Sequence, residues 1–321
     1  MKNYKGVPVL LGVVCGFALS PRIAHPQVKA SLGTVQVHMV ITNQAFNDSN
    51  EPPVLRTENV QVKQGESSLK VDQVIPAQGD NASLSLFILI DDTLDPRIGS
   101  NLNDVRDFIN AQPASTQVGI GYMSNATFQI AQNFSSDHAL VAKAVRLPRG
   151  RLSSMDSPYL SLISLLKSWP QEKVRREVLM ISDGIDHLHG NRSTRARSVP
   201  TMSVDADSAS AISQRYGVIV YSIYAMGAGR LGRNAWEAQM GQAGIAKITD
   251  ETGGEYFALL YQNAVSFKPY LDRLHKIFQN QYYLVFQARP GKKEGLQRVD
   301  ISTTVADADI AAADNVWVGS K

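Results

Sequence analysis

The sequence predicts an α/β protein: a three-layer, doubly wound and mostly parallel sheet with a small β module beside it. From residue 84 to residue 280, apolar runs of strand length alternate with amphipathic segments of helix length, the pattern of a parallel sheet covered by helices on both faces. On either side of that region, apolar and polar residues alternate with a period of two, as in half-buried strands. Because chain termini commonly lie close together, the two end segments are expected to pair into one sheet.

These patterns divide the chain into four segments. Residues 1–30 are predicted to be an export signal or an N-terminal anchor, and residues 31–80 a β segment. Residues 81–280 form the predicted α/β domain, and residues 281–321 a C-terminal β segment that packs with the first one. The 44% of hydrophobic and 19% of charged residues are ordinary proportions for a folded protein and argue against extensive disorder.

The first thirty residues resemble a secretory signal. Lys2 and Lys5 form a charged start, and residues 7–19 form an apolar run that is shorter than the roughly 20 residues needed to cross a bilayer. Cleavage after Ala18 or Ala24 and retention as an anchor all stay open. The protein is therefore expected to be exported to the periplasm, the cell envelope or the exterior.

The cysteine content and the net charge exclude several classes of function. Cys15 is the only cysteine and lies in the predicted signal, so the exported protein has no disulfide and no cysteine-based zinc site; the bulky residues before it do not favour lipidation. The formal charge of +3 includes Lys2, Lys5 and Arg22, without which the chain is formally neutral. No Lys/Arg stripe is present, so no nucleic acid partner is expected, and a membrane is expected only if the N-terminal segment is retained.

Strands and helices follow one another in the predicted α/β domain. Residues 84–90 are a nearly continuous apolar run, as in a central strand buried on both sides, and Ser100 is a candidate cap for a helix that extends to Ala111. The other predicted helices cover 137–147, 159–169, 208–216, 236–252 and 265–280, and the other strands cover 117–123, 127–131, 178–181, 218–224 and 255–260. The strands of the end segments are predicted at 35–41, 59–63, 69–71, 282–286, 299–305 and 316–318.

Oxygen-bearing side chains follow two of the predicted buried strands. Asp91, Thr93 and Asp95 come directly after the first strand, and Asp183 comes shortly after the strand at 178–181. In a doubly wound sheet, ligands bind in the crevice outside the carboxyl ends of the strands, so these side chains are expected to converge there. Carboxylate and hydroxyl oxygens suit a hard divalent cation, and Mg²⁺ is therefore the predicted cofactor.

The D-x-T-x-D motif at 91–95 resembles the leading element of the metal-ion-dependent adhesion site in von Willebrand factor A-type (VWFA) domains. The S-D-G run at 182–184 resembles the strand-then-aspartate element of the same family. The resemblance implies a Rossmann-like A-type domain over residues 81–280. It also implies hydroxyls that bind the metal directly, aspartates that act largely through water, and a partner carboxylate that completes the coordination of the ion.

This sequence departs from the family pattern at two positions. Asp95 stands where the family has a second serine, and Asp156 falls where the family has a threonine from the intervening loop, with Ser154 and Ser157 as alternatives. Extra carboxylates would strengthen the binding of the cation and weaken its attraction for an acidic partner. The predicted metal ligands are Asp91, Thr93, Asp95, Asp156 and Asp183.

The flanking segments resemble those of a bacterial exported subgroup, the acidobacterial VWFA-related proteins. The resemblance rests on residues 55–62 followed by 65–66, on the T-G-G run at 252–254 and on the closing run at 281–286. It spans about residues 35–320, and the order and spacing of these segments are more specific than any one of them.

Two other interpretations of the acidic residues stay open. An aspartate after a buried strand is often a turn residue or a helix cap, and Asp156 precedes Ser157 and Pro158 at a predicted helix start, so the protein could be a structural interaction module with a degenerate metal site. The same carboxylates could serve a Mg²⁺-dependent, phosphoryl hydrolase-like enzyme. Such an enzyme needs a lysine from a later strand end, and Lys173 is poorly placed, so the protein is not expected to be an enzyme.

Two further motifs are interpreted as loops. The run at 227–232 is a literal G-x-G-x-x-G, but it follows a late strand and lacks the acidic residue that ends the next strand in a dinucleotide site. Asp186, His187 and His189 belong to a long polar loop at the rim of the predicted site, where they are expected to contact a partner and not a metal.

The sequence thus predicts an exported, adhesion-type binding protein that uses a divalent cation for protein–protein or protein–surface interaction. The expected partner is an unidentified protein or surface ligand, with an acidic side chain as its candidate contact to the metal.

Overall fold

The computed structural model describes residues 33–45, 52–169, 174–189, 203–228, 235–258 and 264–320. The predicted export segment, including Cys15, lies outside the described residues, and so does most of the G-x-G-x-x-G motif. Among the described helices, none is both long enough and apolar enough to cross a membrane.

The described residues form fourteen strands and six α-helices. The strands are β1 (Val35–Asn43), β2 (Val60–Gln64), β3 (Ser67–Pro76), β4 (Leu84–Asp91), β5 (Thr116–Ser124), β6 (Thr127–Ser135), β7 (Arg175–Ser182), β8 (Val218–Tyr224), β9 (Tyr256–Phe257), β10 (Gln281–Ala288), β11 (Gly295–Arg298), β12 (Asp300–Thr303), β13 (Ile310–Ala312) and β14 (Asn315–Val318). The helices are α1 (Asn101–Asn110), α2 (His138–Lys143), α3 (Pro158–Ser168), α4 (Val204–Tyr216), α5 (Ala235–Thr252) and α6 (Lys268–Gln279).

The central sheet has the strand order β6-β5-β4-β7-β8-β9. β6 is antiparallel to β5, and the other neighbouring pairs are parallel. All eight residues of β4 are buried, as expected for a parallel strand that is covered on both faces. The predicted fold class, a doubly wound and mostly parallel α/β sheet, is confirmed.

Alternate residues of β4 face two separate parts of the core. Leu86 and Ile88 pack in one cluster with residues of α1, α2 and α6, whereas Phe87 and Leu89 pack in another with residues of α3, α4 and α5. Successive side chains of a strand point to opposite faces, so one apolar run supplies both layers. Each such buried side chain contributes about 1.5–3 kcal/mol, and together they determine where the strand ends lie.

The segments before and after the central sheet pair into a second sheet with the order β12-β2-β3-β10-β1-β13. β10, from the C-terminal segment, lies between β1 and β3 and is antiparallel to both, with Ile41 and Phe286 fully buried in the core of this sheet. β11 and β14 form a separate two-stranded sheet. The predicted β module from both chain ends is confirmed, whereas the domain boundaries at 31–80, 81–280 and 281–321 stay a prediction.

Three helices differ from their predicted extent by about one turn at one end, and one of them, α6, begins at Lys268 and not at residue 265. α2 ends at Lys143, and the chain continues as a loop that carries Arg146 to the edge of the sheet. α4 begins at Val204, because the Ser203 side chain caps it by accepting a hydrogen bond from the backbone N–H of Asp205.

The strand pairing sets neighbouring carboxyl ends side by side. Ile90 of β4 is in register with Ile181 of β7, and Asp91 is in register with Met123 of β5. Asp91 and Asp183 therefore emerge from adjacent strands at the edge of the sheet where the sequence predicts a cation site.

Candidate metal centre

Asp91 ends β4 and has only 5% of its surface exposed. Its Oδ1 accepts hydrogen bonds from the backbone N–H of Thr93 at 3.0 Å and from the hydroxyl of Thr93 at 2.7 Å. Its Oδ2 accepts a hydrogen bond from the hydroxyl of Ser182 at 2.8 Å. The carboxylate is thus held by hydroxyls from two adjacent strand ends, and within the described residues no lysine or arginine forms an ion pair with it.

Asp183 directly follows β7 and is 1% exposed. Its Oδ1 accepts a hydrogen bond from the backbone N–H of Ile185 at 2.9 Å. Gly184 has φ +72°, and a Cβ there would lie 2.2 Å from the carbonyl oxygen of Gly241 in α5. Only glycine fits this turn, and the turn determines where the backbone carries Asp183 at the sheet edge.

The two aspartates are electrostatically linked. Burial, followed by the negative charge of Asp183, raises the pKa of Asp91 to about 6, against the hydrogen bonds from Thr93 and Ser182 that lower it. A cation beside them would favour the ionised form of both carboxylates. The available donors are carboxylate and hydroxyl oxygens, the ligands that Mg²⁺ prefers, so the residues present fit this ion.

A cavity of about 210 Å³ opens at this edge of the sheet. Thr93 and Asp156 both line it, together with Arg149 and Arg151. Two of the predicted ligands are therefore accessible from one cavity.

Asp156 is 6% exposed, and its carboxylate forms hydrogen bonds with the backbone of two loops. Its Oδ1 accepts the backbone N–H of Asn125 at 2.8 Å, and its Oδ2 accepts that of Ser153 at 2.6 Å. It does not cap α3, because Ser157 does so by accepting the backbone N–H of Leu160 at 3.4 Å. The role of Asp156 as a metal ligand stays a prediction.

Asp95 directs its carboxylate to Arg97. The Nε of Arg97 donates to both carboxylate oxygens at 3.0 and 2.9 Å, and the backbone N–H of Arg97 donates to Oδ1 at 3.0 Å, which caps the short 3₁₀ helix Pro96–Gly99. These bonds hold the pKa of Asp95 below its ordinary value. Because Arg97 already supplies a positive charge, this geometry does not favour Asp95 as a ligand, and its role there stays a prediction.

Sequence reasoning missed two residues at this edge. Ser182 bonds directly to Asp91, and the polar residue at the end of a buried strand is the signal that could have identified it. Asp92 is 4% exposed and accepts hydrogen bonds from Arg146 at 2.7 and 3.1 Å and from the backbone N–H of Arg149 at 2.9 Å. Nothing in the spacing indicates this pair, because the chain returns to Asp92 only after β5, β6 and α2.

A second polar group lies on the loop that follows Asp183 and on the first turn of α4. Asp186, His189 and Asp205 each have one potential ligand atom within 4.8 Å of the others. The sequence predicted that Asp186 and His189 belong to a partner-contact loop, and it did not connect them with Asp205.

No protein-family model matches the chain, and no curated protein matches it. Among solved structures, an aerotolerance-related membrane protein from Bacteroides fragilis is similar at 13% identity, with a TM-score of 0.41 over 61% of this chain and 98% of that one. A von Willebrand factor type A protein from Catenulispora acidiphila is similar at 10% identity, with a TM-score of 0.42 over 92% and 75% of the two chains. The ArnB paralog VWA2 from Sulfolobus acidocaldarius is similar at 11% identity, with a TM-score of 0.38 over 90% and 76%.

The fold class of this chain rests on its own strand order and pairing. A mostly parallel sheet with one antiparallel edge strand, helices on both faces and aspartates at two adjacent strand ends are all present. The chain has the α/β architecture that the resemblance to VWFA-type domains implies, and the exported acidobacterial subgroup stays a prediction.

Proposed function

We propose that the chain is an exported binding protein that holds Mg²⁺ at Asp91, Thr93 and Asp183 and presents the ion to an acidic group on a protein or surface partner. The observation that carries the proposal is the pair of buried carboxylates at adjacent strand ends, one of them held by two hydroxyl hydrogen bonds, at the edge of the sheet where a cavity opens.

The cation follows from the charges at this edge. Asp91 is buried, and the negative charge of Asp183 adds to the cost of ionising it. A buried carboxylate that lacks a cationic partner gains most from a metal ion, because the ion offsets both the desolvation and the repulsion.

The acidic partner follows from the rim of the cavity. Arg149 and Arg151 both line the cavity; the side chain of Arg149 is 57% exposed, and Arg151 is exposed as well. Leu152, which also lines the cavity, is 49% exposed, and Met155, nearby in the chain, is 51% exposed. Positive charge around a cation attracts negatively charged ligands, and exposed apolar side chains add contact area. A carboxylate next to an apolar residue is the ligand chemistry that this rim favours.

Thermal unfolding of metal-stripped protein at increasing Mg²⁺ concentrations tests the cation. We expect the stability of the protein to rise as RT ln(1 + [Mg²⁺]/Kd), and EDTA to reverse the effect. Asp91→Asn and Asp183→Asn should each abolish the rise. Asp272→Asn removes an equally charged but exposed carboxylate from α6 and should keep it. A Mg²⁺ effect of equal size in all four proteins would exclude this site.

Retention on beads that carry poly-glutamate or poly-lysine tests the partner chemistry. The wild-type protein should be retained on poly-glutamate in Mg²⁺ and released by EDTA, and Asp91→Asn should pass through. Stronger retention on poly-lysine, or retention on poly-glutamate that does not depend on Asp91, would contradict an acidic partner.

We propose binding and not turnover at this site. Of the described residues that line the two cavities at this edge, none is a lysine, whereas phosphoryl transfer at an aspartate normally uses one. The wild-type protein should therefore release no nitrophenol from para-nitrophenyl phosphate in Mg²⁺. Release that disappears in Asp91→Asn would instead favour the hydrolase-like alternative.

We also propose that residues 1–30 direct export. A fusion of these residues to a reporter enzyme that folds only outside the cytoplasm should be active, and replacing Lys2 and Lys5 by Glu should reduce its activity. An inactive fusion would place the protein inside the cell.

A further inference from the structure

Asp186, His189 and Asp205 form a compact group of nitrogen and oxygen ligands, which we call the Asp–His–Asp group. Their potential ligand atoms all lie within 4.8 Å of one another. Asp186 and Asp205 are 6% and 9% exposed, whereas the His189 side chain is 52% exposed. The group therefore has two buried carboxylates and one imidazole that solvent can reach.

Hydrogen bonds to surrounding groups orient the members. Asp186 Oδ1 accepts the backbone N–H groups of Leu188 and His189 at 3.0 and 2.9 Å, and Asp186 Oδ2 accepts the hydroxyl of Ser203 at 2.6 Å. The Ser203 oxygen in turn accepts the backbone N–H of Asp205 at 3.1 Å. Such outer bonds fix ligand side chains in metal sites, because they remove the cost of orienting them.

Within the part of the chain that the structure describes, the charges of the group are only partly balanced. The Nδ1 of His189 lies 2.6 Å from Oδ2 of Asp205, and this contact raises the pKa of His189. Among the described residues, no lysine or arginine is paired with Asp186 or Asp205. The imidazole is thus hydrogen-bonded to one of the two buried carboxylates, and a metal ion could replace the proton between them.

We propose that Asp186, His189 and Asp205 bind a first-row divalent cation of the zinc class, at a second metal site that is separate from the one at Asp91. Imidazole nitrogen suits Zn²⁺ and Co²⁺, whereas Mg²⁺ prefers oxygen ligands alone. Three protein ligands leave the fourth position of a tetrahedral ion to water or to the Ser203 hydroxyl. The inference does not depend on the proposed function, because the two sites share no residue.

The bound ion would connect two parts of the chain. Asp186 and His189 follow β7, and Asp205 lies in the first turn of α4. Asp186 also lines a cavity of about 300 Å³ together with Gly184, next to Asp183. The second ion would therefore stabilise the loop that forms this cavity at the edge of the first site.

A Co²⁺ titration of the metal-stripped full chain in excess Mg²⁺ tests the proposal, because Mg²⁺ occupies the all-oxygen site and Co²⁺ bound to imidazole in a four-coordinate site absorbs visible light. We expect a visible band that Zn²⁺ removes by competition. His189→Ala and Asp205→Asn should weaken Co²⁺ binding at least about 100-fold, and Ser203→Ala about 10-fold. Asp207→Asn, an exposed carboxylate on the same helix, should bind like the wild type.

Measuring both the Co²⁺ band and the Mg²⁺ effect on stability in two variants distinguishes the second site from the first. Asp91→Asn should keep the Co²⁺ band and lose the Mg²⁺ effect on stability. His189→Ala should lose the Co²⁺ band and keep the Mg²⁺ effect on stability. Because His189 is largely exposed, its replacement should leave the protein folded. No band in the wild type, a band of unchanged affinity in His189→Ala, or a band lost in Asp91→Asn would each overturn the second site.

Discussion

The two consecutive aspartates at the end of β4 are almost equally buried, but their charges are compensated in different ways. Asp91 receives its hydrogen bonds from hydroxyls and a backbone N–H, and the like charge of Asp183 helps to raise its pKa. Asp92, 4% exposed against 5% for Asp91, receives two hydrogen bonds from the guanidinium of Arg146. Burial alone therefore does not identify a cation site. The charge of the neighbouring side chains is what indicates such a site, because a carboxylate that an arginine neutralises gains little from a metal ion.

Replacing Asp92 should give the largest effect on stability. Asp92→Ala leaves the guanidinium of Arg146 and the backbone N–H of Arg149 without their acceptor. Since Arg146 is partly exposed, water replaces some of the loss, and we expect the free energy of unfolding to fall by about 2–3 kcal/mol. Urea unfolding in EDTA measures it. An unchanged midpoint and slope would mean that the arginine pair contributes nothing.

Replacing Asp91 should raise the free energy of unfolding when no metal is bound. Asp91→Asn removes a buried charge next to Asp183 and keeps an oxygen that can accept hydrogen bonds from Thr93. We expect metal-free protein at pH 7.5 to become more stable, on the order of 1–2 kcal/mol. The same urea experiment gives the value. A loss of stability like that of Asp92→Ala would contradict the proposed difference in how the charges of the two aspartates are compensated.

The pH dependence of stability should sharpen the comparison. A carboxyl whose pKa is raised in the folded state binds more protons folded than unfolded, so stability falls as pH rises between the ordinary value of 3.8 and about 6. We expect this fall in metal-free wild type to exceed that in Asp91→Asn by about 1 kcal/mol. Glu177, also fully buried with its pKa raised by burial to about 7, contributes equally to both proteins and cancels in the difference.

If Mg²⁺ binds at Asp91 as proposed, it competes with the proton there, and its effect on the wild-type Tm should grow as pH rises to about 6 and then level off. Identical pH curves for wild type and Asp91→Asn would contradict a raised pKa at Asp91.

Replacing Asp95 should have the smallest effect. Arg97, its partner, is 65% exposed, and asparagine caps a helical turn about as well as aspartate. We expect Asp95→Asn to change the Tm by less than about 2 °C and to keep the Mg²⁺ effect. Loss of the Mg²⁺ effect in this variant would show that Asp95 is a ligand, and the comparison would then have to group it with Asp91.

Much of the fold was predictable because burial is periodic in the sequence. The apolar run at 84–90 indicates a strand buried on both faces, and the period-two segments at both ends indicate a β module. The ends of two such strands predict that Asp91 and Asp183 lie at one edge of the sheet.

Less of the candidate site was predictable, because it depends on which groups the loops bring to each carboxylate. Asp156 looked like a helix cap or a ligand, yet it accepts the backbone N–H of Asn125 from the β5–β6 turn. Asp95 looked like a ligand and is bonded to Arg97, a pairing that the two-residue spacing and the following proline could have indicated.

The sequence by itself determined the order of strands and helices, the buried faces of each and the residues at which the buried strands end, since these depend on local periodicity. Only the tertiary structure decided that Arg146 meets Asp92 and that Asp205 meets His189. Those contacts join residues that are 54 and 16 positions apart, and local periodicity does not indicate such pairs. Whether a buried carboxylate is neutralised depends on how close an opposite charge lies in space. The difference between Asp91 and Asp92 could therefore be seen only in the folded chain.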